Sequence, residues 1–381
     1  METLDIPWIE IGPGNKFGEK AVKKGEYKTV EISYHAVFAC LVRIRPFEQL
    51  DGRKWGWVAG ALLEEARERQ RLFIETQHYP GELQEEPPEH RTLALRCVHD
   101  QHTMAGLRLS LLAKVCGSSI ETARQAALNY WYELHSIFPY DYELIPAQTQ
   151  KDFQELSGWN ILDQVTKVTE FAQVQRFEGI VNTNEERFYL LGSWKSSSYA
   201  NEQIWRALAG SDKPVMLNIC LRPTVLLESE RFALAGIAER TQKITQEVHL
   251  SNVQVHADFA AKNYAHLVEF LRKPYIAQVC LVSPGGLAEY LPRAVGFALT
   301  HAAEHEPATP GFQVFQPRDP SEVTDWCSQL TWLENSINDG WSIDERFARI
   351  RKMVDAYEAS ALLSLPFPPK AGFPDVIFAI D

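Results

Sequence analysis

Residues 92–138, "TLALRCVHDQHTMAGLRLSLLAKVCGSSIETARQAALNYWYELHSIF", are the stretch on which the fold turns. Two strand-like runs flank a polar turn, and in the second Leu107, Leu109 and Leu111 alternate with Arg108 and Ser110, the period of two that a half-buried strand imposes. Ser118 or Ser119 then stands as a helix N-cap, with Glu121 near the first turn and a long apolar periodicity behind it. The segment reads as a β-hairpin that feeds a helix.

Upstream, "YHAVFACLVRI" (34–44) is β-branched and apolar at both parities, as suits a strand buried on both faces. A helix is expected over 57–73, with Leu62, Ala66 and Phe73 inward and Glu64, Glu65, Arg67 and Arg69 toward water. Strand, helix, hairpin and helix over 31–140 suit a small ferredoxin-like layer. Residues 1–30 read as a polar arm.

Downstream the same grammar starts again. "QRFEGIVN" and "RFYLLGSWK" form a hairpin, "SYANEQIWRALAG" a helix, "KPVMLNICLRPTVL" a central strand and "LESERFALAGIAERTQKITQE" a helix. "YIAQVCLVS" and "GFQVFQP" read as strands, each followed by a helix, over 285–305 and 319–336. Strands alternating with helices predict a partly parallel sheet in this second half. A last helix is expected over 342–365, with Phe347, Ile350, Val354, Tyr357 and Leu362 on one face. The expected class is α/β (α+β), with two ferredoxin-like or related α/β layers and a C-terminal helical segment. The expected divisions are an arm (1–30), a first α+β module (31–150), a larger α/β module (151–316), and a helical segment with an extended apolar lead-in (317–381).

A formal charge of −12 argues against a free-standing nucleic-acid binder, because affinity for phosphates comes from Lys and Arg neutralising them. Six Cys, most of them inside apolar runs such as "AVFACLV", read as free thiols of a reducing compartment. The opening "METLDIPWIE" has no apolar core of a secretory signal, and no stretch approaches the roughly 18 uncharged apolar residues of a membrane span. A cytoplasmic protein without a membrane span is expected.

Chemistry is sparse. "GPGNKFGEK" (12–20) is glycine-rich and basic, but a phosphate loop needs G-x-x-x-x-G-K-[ST], and nowhere in the chain is a glycine followed by lysine. Cys97, His99, Asp100 and His102 in "CVHDQH" are the best candidate metal ligands, yet zinc wants two spaced ligand pairs and no second pair is in sight. No catalytic residue and no cofactor are expected. "SPGGL" (283–287) follows a strand and precedes a helix, where backbone amides suit an anion. That turn, or Arg222 at another strand end, is the expected pocket of an alternative reading, a small-molecule or nucleotide-binding enzyme. Arg346, Arg349, Arg351 and Lys352 in "RFARIRK" form a basic helical patch, a possible nucleic-acid contact or the wet face of a helix.

The chain closes on "ASALLSLPFPPKAGFPDVIFAID", whose prolines force extended backbone and whose apolar side chains need cover. Leu365, Phe367, Phe373, Val376 and Phe378 are therefore expected to dock a partner.

"RIRKMVDAYEASALLSLPFPPKAGFPDV" (349–376) resembles the segment ahead of the motor in HerA-like hexameric DNA-translocating ATPases and their conjugation and type IV secretion relatives. There a helix with an Asp-x-x-Glu-Ala pattern, here Asp355, Glu358 and Ala359, runs into an "LP-x-P" exit and a "G-x-P" turn, here Leu365, Pro366, Pro368, Gly372 and Pro374. Residues 215–239 and 92–119 are similar to the strand–helix and early hairpin of the same proteins. The resemblance implies a non-catalytic front module of a ring-forming translocase. It also implies homo-oligomers, a P-loop ATPase or nuclease partner, and nucleic acid reached only through the assembly. The chain is expected to stop where the motor would begin.

Overall fold

The computed structural model describes residues 5–14, 34–45, 58–78, 91–100, 106–182, 187–195, 198–247, 251–271, 273–300, 311–335, 349–366 and 377–378. In chain order the first half runs β1 (Ile9–Pro13), β2 (Tyr34–Ile44), α1 (Val58–Thr76), β3 (Thr92–His99), β4 (Leu107–Gly117), α2 (Ile120–Ile137), β5 (Tyr142–Pro146), α3 (Gln150–Ser157) and α4 (Trp159–Leu162). The second half runs β6 (Phe171–Arg176), β7 (Glu178–Asn182), β8 (Arg187–Leu191), α5 (Ser198–Ala209), β9 (Val215–Pro223), α6 (Glu228–Glu247), α7 (Ser251–Phe270) and β10 (Tyr275–Val282). It closes with α8 (Tyr290–Thr300), β11 (Phe312–Phe315), α9 (Pro320–Thr331), β12 (Met353–Val354) and α10 (Ala356–Leu362).

The class is mixed α/β, as expected. The hairpin forms from Thr92↔Lys114 to His99↔Leu107, and α2 opens on a reciprocal cap in which Ser119 Oγ accepts the Thr122 amide at 3.1 Å. The two expected layers share one sheet of ten strands in the order β1-β2-β4-β3-β9-β10-β6-β11, with β5 on β2 and β12 on β10. The seam between the halves is β3 against β9, from Leu93↔Leu221 to His99↔Val215.

The partly parallel sheet is not what forms. Every ladder between the described strands is antiparallel, and the parallel pairings are two isolated bridges, Leu107↔Phe378 and Lys195↔Thr300. The reason lies between β9 and β10. A single crossover helix returns the chain to the strand's starting end and makes a parallel neighbour. Here two helices, α6 and α7, pack on each other and bring the chain back to the end it left, so Tyr275 pairs with Pro223.

Helices cover both faces, which is why β2 and β9 carry apolar residues at both parities. On one face Phe38, Leu95, Leu109 and Leu217 meet Trp131 of α2, Trp205 of α5, Val295 of α8 and Leu362 of α10. On the other, Val37, Ala39, Ala94 and Leu112 meet Phe153 and Leu156 of α3. Further along that face Val98 and Met216 meet Ile161 of α4 and Leu330 of α9.

Two more expectations are corrected. Within the expected polar arm, Ile9–Pro13 adds an edge strand to β2 from Ile9↔Phe38 to Pro13↔Tyr34, its pairing supplied by a strand already buried. The single helix expected over 342–365 is broken within 349–366 into a 3-10 turn (Ile350–Lys352), β12 and α10. No helix among the described residues is long and apolar enough to cross a membrane.

Candidate functional site

The segment that carries the Asp-x-x-Glu-Ala pattern is bonded to several distant elements. Met353 and Val354 pair with Ile276 and Tyr275 of β10, which brings the chain against the sheet. Asp355 follows in extended backbone and caps α10: its Oδ1 accepts the Glu358 amide at 2.8 Å. Its Oδ2 lies 2.6 Å from His266 Nε2 on α7.

Glu358 points inward. Both its carboxylate oxygens lie 3.2 Å from Arg176 Nη1, and Oε1 also accepts the Trp194 amide at 2.9 Å. Arg176 spends its other donors on backbone: Nε on the Arg351 carbonyl at 3.0 Å, Nη2 on the Ile350 and Met353 carbonyls at 3.1 and 2.6 Å. The guanidinium takes carbonyls that a continuous helix needs, which explains the break before α10. Burial raises the Glu358 carboxyl above its ordinary range, against the pull of Arg176 and with the push of Asp355.

The expected nucleic-acid residues sit inside the same network. Arg351 donates to Glu178 at 3.3 Å with both side chains buried. Arg349 grips Glu230 at 3.1 and 3.3 Å, Thr224 Oγ1 at 2.7 Å and the Val225 carbonyl at 3.2 Å. Lys352 is buried as well. These three side chains are therefore turned into the protein and form no wet helical face; Arg346 lies outside the described residues.

The expected docking residues divide in the same way. Leu365 is buried against the core, and its amide donates to Gln70 Oε1 of α1 at 3.1 Å. Phe378 packs edge-on against Trp205 at 6.0 Å, beside the Leu107 amide that donates to the Ile377 carbonyl at 2.7 Å. Gly106 makes that return possible. It sits at φ +104°, and a Cβ there would stand 2.3 Å from the Ile377 carbonyl oxygen. Leu365 is buried by its own chain and leaves no side-chain surface for a partner, which corrects that expectation; Phe378 is half-buried, and Phe367, Phe373 and Val376 lie outside the described residues.

The "CVHDQH" stretch assembles no metal centre among the described residues. Cys97 faces the core and His99 Nδ1 lies 3.2 Å from the Gly106 carbonyl; His102 lies outside the described residues. No group of three His, Cys, Asp or Glu side chains among the described residues is placed to hold a metal ion. The "SPGGL" turn is filled from within. Glu170 Oε1 accepts the Gly285 amide at 2.9 Å, the Glu170 carbonyl accepts the Ser283 amide at 2.9 Å, and Lys213 Nζ donates to the Gly285 carbonyl at 2.8 Å. Burial pushes the Glu170 carboxyl up, but the amides of Thr166, Lys167 and Gly285 outweigh it and hold the group low. An external anion has no amides left to take there, which removes this turn as the alternative pocket.

Arg176, Glu178, Glu230 and His266 organise the network, and sequence reasoning misses all four. The one signal in the chain is an arginine closing the apolar run "FAQVQR". No protein-family model matches the chain, and no curated protein matches it.

Proposed function

We propose that this chain is a non-catalytic assembly and docking module of the kind that stands ahead of the motor in HerA-like hexameric DNA-translocating ATPases. It oligomerises, holds a P-loop ATPase or nuclease partner, and meets nucleic acid through that assembly. The observation that supports this reading is the clamp on Arg349–Leu365. In the resembling proteins this segment hands the chain on to the motor, and here Arg176, Glu178, Glu230 and Gln70 tie it to four different elements of the body. A segment fixed at so many points holds one position on the body, as a docking element needs. The sequence supplies the second support, since these 381 residues contain no phosphate loop.

Light scattering on the purified chain, alone and mixed with the P-loop motor of a HerA-like ATPase as a separate chain, tests the reading. A defined oligomer, or a complex that leaves ATP turnover to the motor, is the expected result. A monomer that binds no such motor, or ATP hydrolysis by this chain alone, overturns it.

A further inference from the structure

Two strands across the sheet from Met353 of the clamp, beyond the Ile276–Arg222 pair, one face of the sheet carries a buried patch of charged and polar side chains. Lys114 of β4 is directly opposite Thr92 of β3. On the other side of β3, Arg222 of β9 follows Leu221, the partner of Leu93. Lys114, Thr92 and Arg222 thus stand in one row across three neighbouring strands, about 5 Å apart from strand to strand. His35 of β2, opposite Cys116, and Gln278 of β10, opposite Cys220, extend the patch at its two ends. Thr92 is 0% exposed, Lys114 5%, Arg222 6% and His35 2%.

The residues after α9 close over this row. The chain turns at Leu333, the one non-glycine among the described residues at positive φ (50°), and sets Glu334 and Asn335 above the sheet. Glu334 Oε1 lies 3.5 Å from His35 Nδ1, and Asn335 Nδ2 donates to the Ile276 carbonyl at 3.1 Å.

Polar satisfaction fails here. Thr92 Oγ1, Gln278 Oε1 and Asn335 Oδ1 are buried atoms with no hydrogen-bond partner, and so are Ser110 Oγ and Asn218 Nδ2 further along the same face. Buried polar groups are nearly always paired, and a concentration of orphans on one face marks a place where a partner is missing. Positive charge gathers in the same place. Burial lowers the proton affinity of Lys114 and Arg222 acts in the same sense, with Cys116, Glu334 and Cys220 opposing; the Cys220 thiol itself is pushed up to about 11 by burial.

We propose that this patch binds a small hydroxylated oxyanion: Lys114, Thr92 and Arg222 take its phosphate or carboxylate group, and the Gln278 and Asn335 carbonyl oxygens take its hydroxyls. Two cations that flank the Thr92 hydroxyl in one row, Lys114 on β4 and Arg222 on β9 with β3 between them, fit an anion. The unpaired amide oxygens accept only donors, and a hydroxylated organic anion offers these away from its charged group, where the one or two P–OH groups of inorganic phosphate sit on the charged group itself. The inference stands apart from the assembly reading, since it concerns other residues and needs no oligomer.

Calorimetric titration and thermal shift with inorganic phosphate, ribose 5-phosphate and glycerate test it on the full chain, with the variants Lys114→Met and Thr92→Val. Binding by wild type to one or both organic anions, more tightly than to inorganic phosphate and weakened about tenfold or more by Lys114→Met, is the expected result. Replacing a buried cation by an apolar side chain of similar length often keeps or raises stability, so Lys114→Met remains folded. Thr92→Val keeps the charges and serves as the check should that variant fail, with the same loss of affinity expected. Failure of all three anions to bind wild type overturns the proposal, and so does equal binding by wild type and variants.

Discussion

Arg176 Nη1 stands 3.2 Å from both carboxylate oxygens of Glu358, 182 positions further along the chain. The two side chains are 2% and 8% exposed, so the pair is a buried one. Burying two charges is costly and the pair is not a net source of stability by right, but removing one partner strands the other. Arg176→Met leaves the Glu358 carboxylate uncompensated and three carbonyls without their donor. The expected loss is about 3–5 kcal/mol in chemical denaturation. Arg176→Met combined with Glu358→Met is expected to lose less than the sum of the two single variants, which a double-mutant cycle measures directly.

The His266–Asp355 contact at 2.6 Å makes stability depend on pH. The bond to Asp355 raises the His266 pKa above its ordinary 6.5, with burial opposing. A raised folded-state value means that the contribution is fully present below 6.5 and is lost as pH rises through the folded-state value. The His266 side chain is 43% exposed, so solvent screening keeps the effect within about 1 kcal/mol. Asp355→Asn keeps an N-cap oxygen for α10 and removes the charge. Denaturant midpoints at about pH 6 and about pH 8.5 are expected to differ in wild type and to converge in this variant.

Gly106 and Ile377 offer a local test. Gly106→Ala places a methyl 2.3 Å from the Ile377 carbonyl at a φ of +104° that alanine adopts poorly. The cost is about 1–3 kcal/mol if the return strand stays, or the loss of the Leu107–Ile377 hydrogen bond if it leaves. Hydrogen exchange distinguishes the two: the Leu107 amide is expected to exchange faster in the variant, while Leu95 and Leu217 in the central strands keep their protection.

Ser119 caps α2 with Thr122 as its reciprocal partner, the Ser119 amide donating to Thr122 Oγ1 at 2.8 Å. Ser119→Ala is expected to cost about 1 kcal/mol, and Ser119→Asp to be close to neutral. Thermal unfolding of the three proteins checks both.

The elements legible in the sequence follow from local rules. The alternation in Leu107–Leu111, the serine pair before Ile120 and the two-parity apolar runs of β2 and β9 each record a constraint met within a few residues, and each element forms where its pattern stands. The clamp is only half visible. Asp355 and Glu358 stand in one short Asp-x-x-Glu-Ala stretch, whereas their partners Arg176 and His266 lie far off in sequence and carry no local mark. The last basic stretch misleads for a related reason: a charge run at helical spacing looks solvated until its counter-charges, Glu178 and Glu230, are found on other elements.

Composition, periodicity and caps, which depend on neighbours along the chain, determined that this protein is a mixed α/β fold, where most strands and helices lie, and that no phosphate loop is present. The direction of the strands, the union of both halves in one sheet, the break before α10 and the inward turn of Arg349, Arg351, Leu365 and Phe378 were decided by tertiary structure alone. Those features depend on which carbonyls and carboxylates a guanidinium finds once distant segments are packed together, and most buried polar groups are stable only where such partners meet.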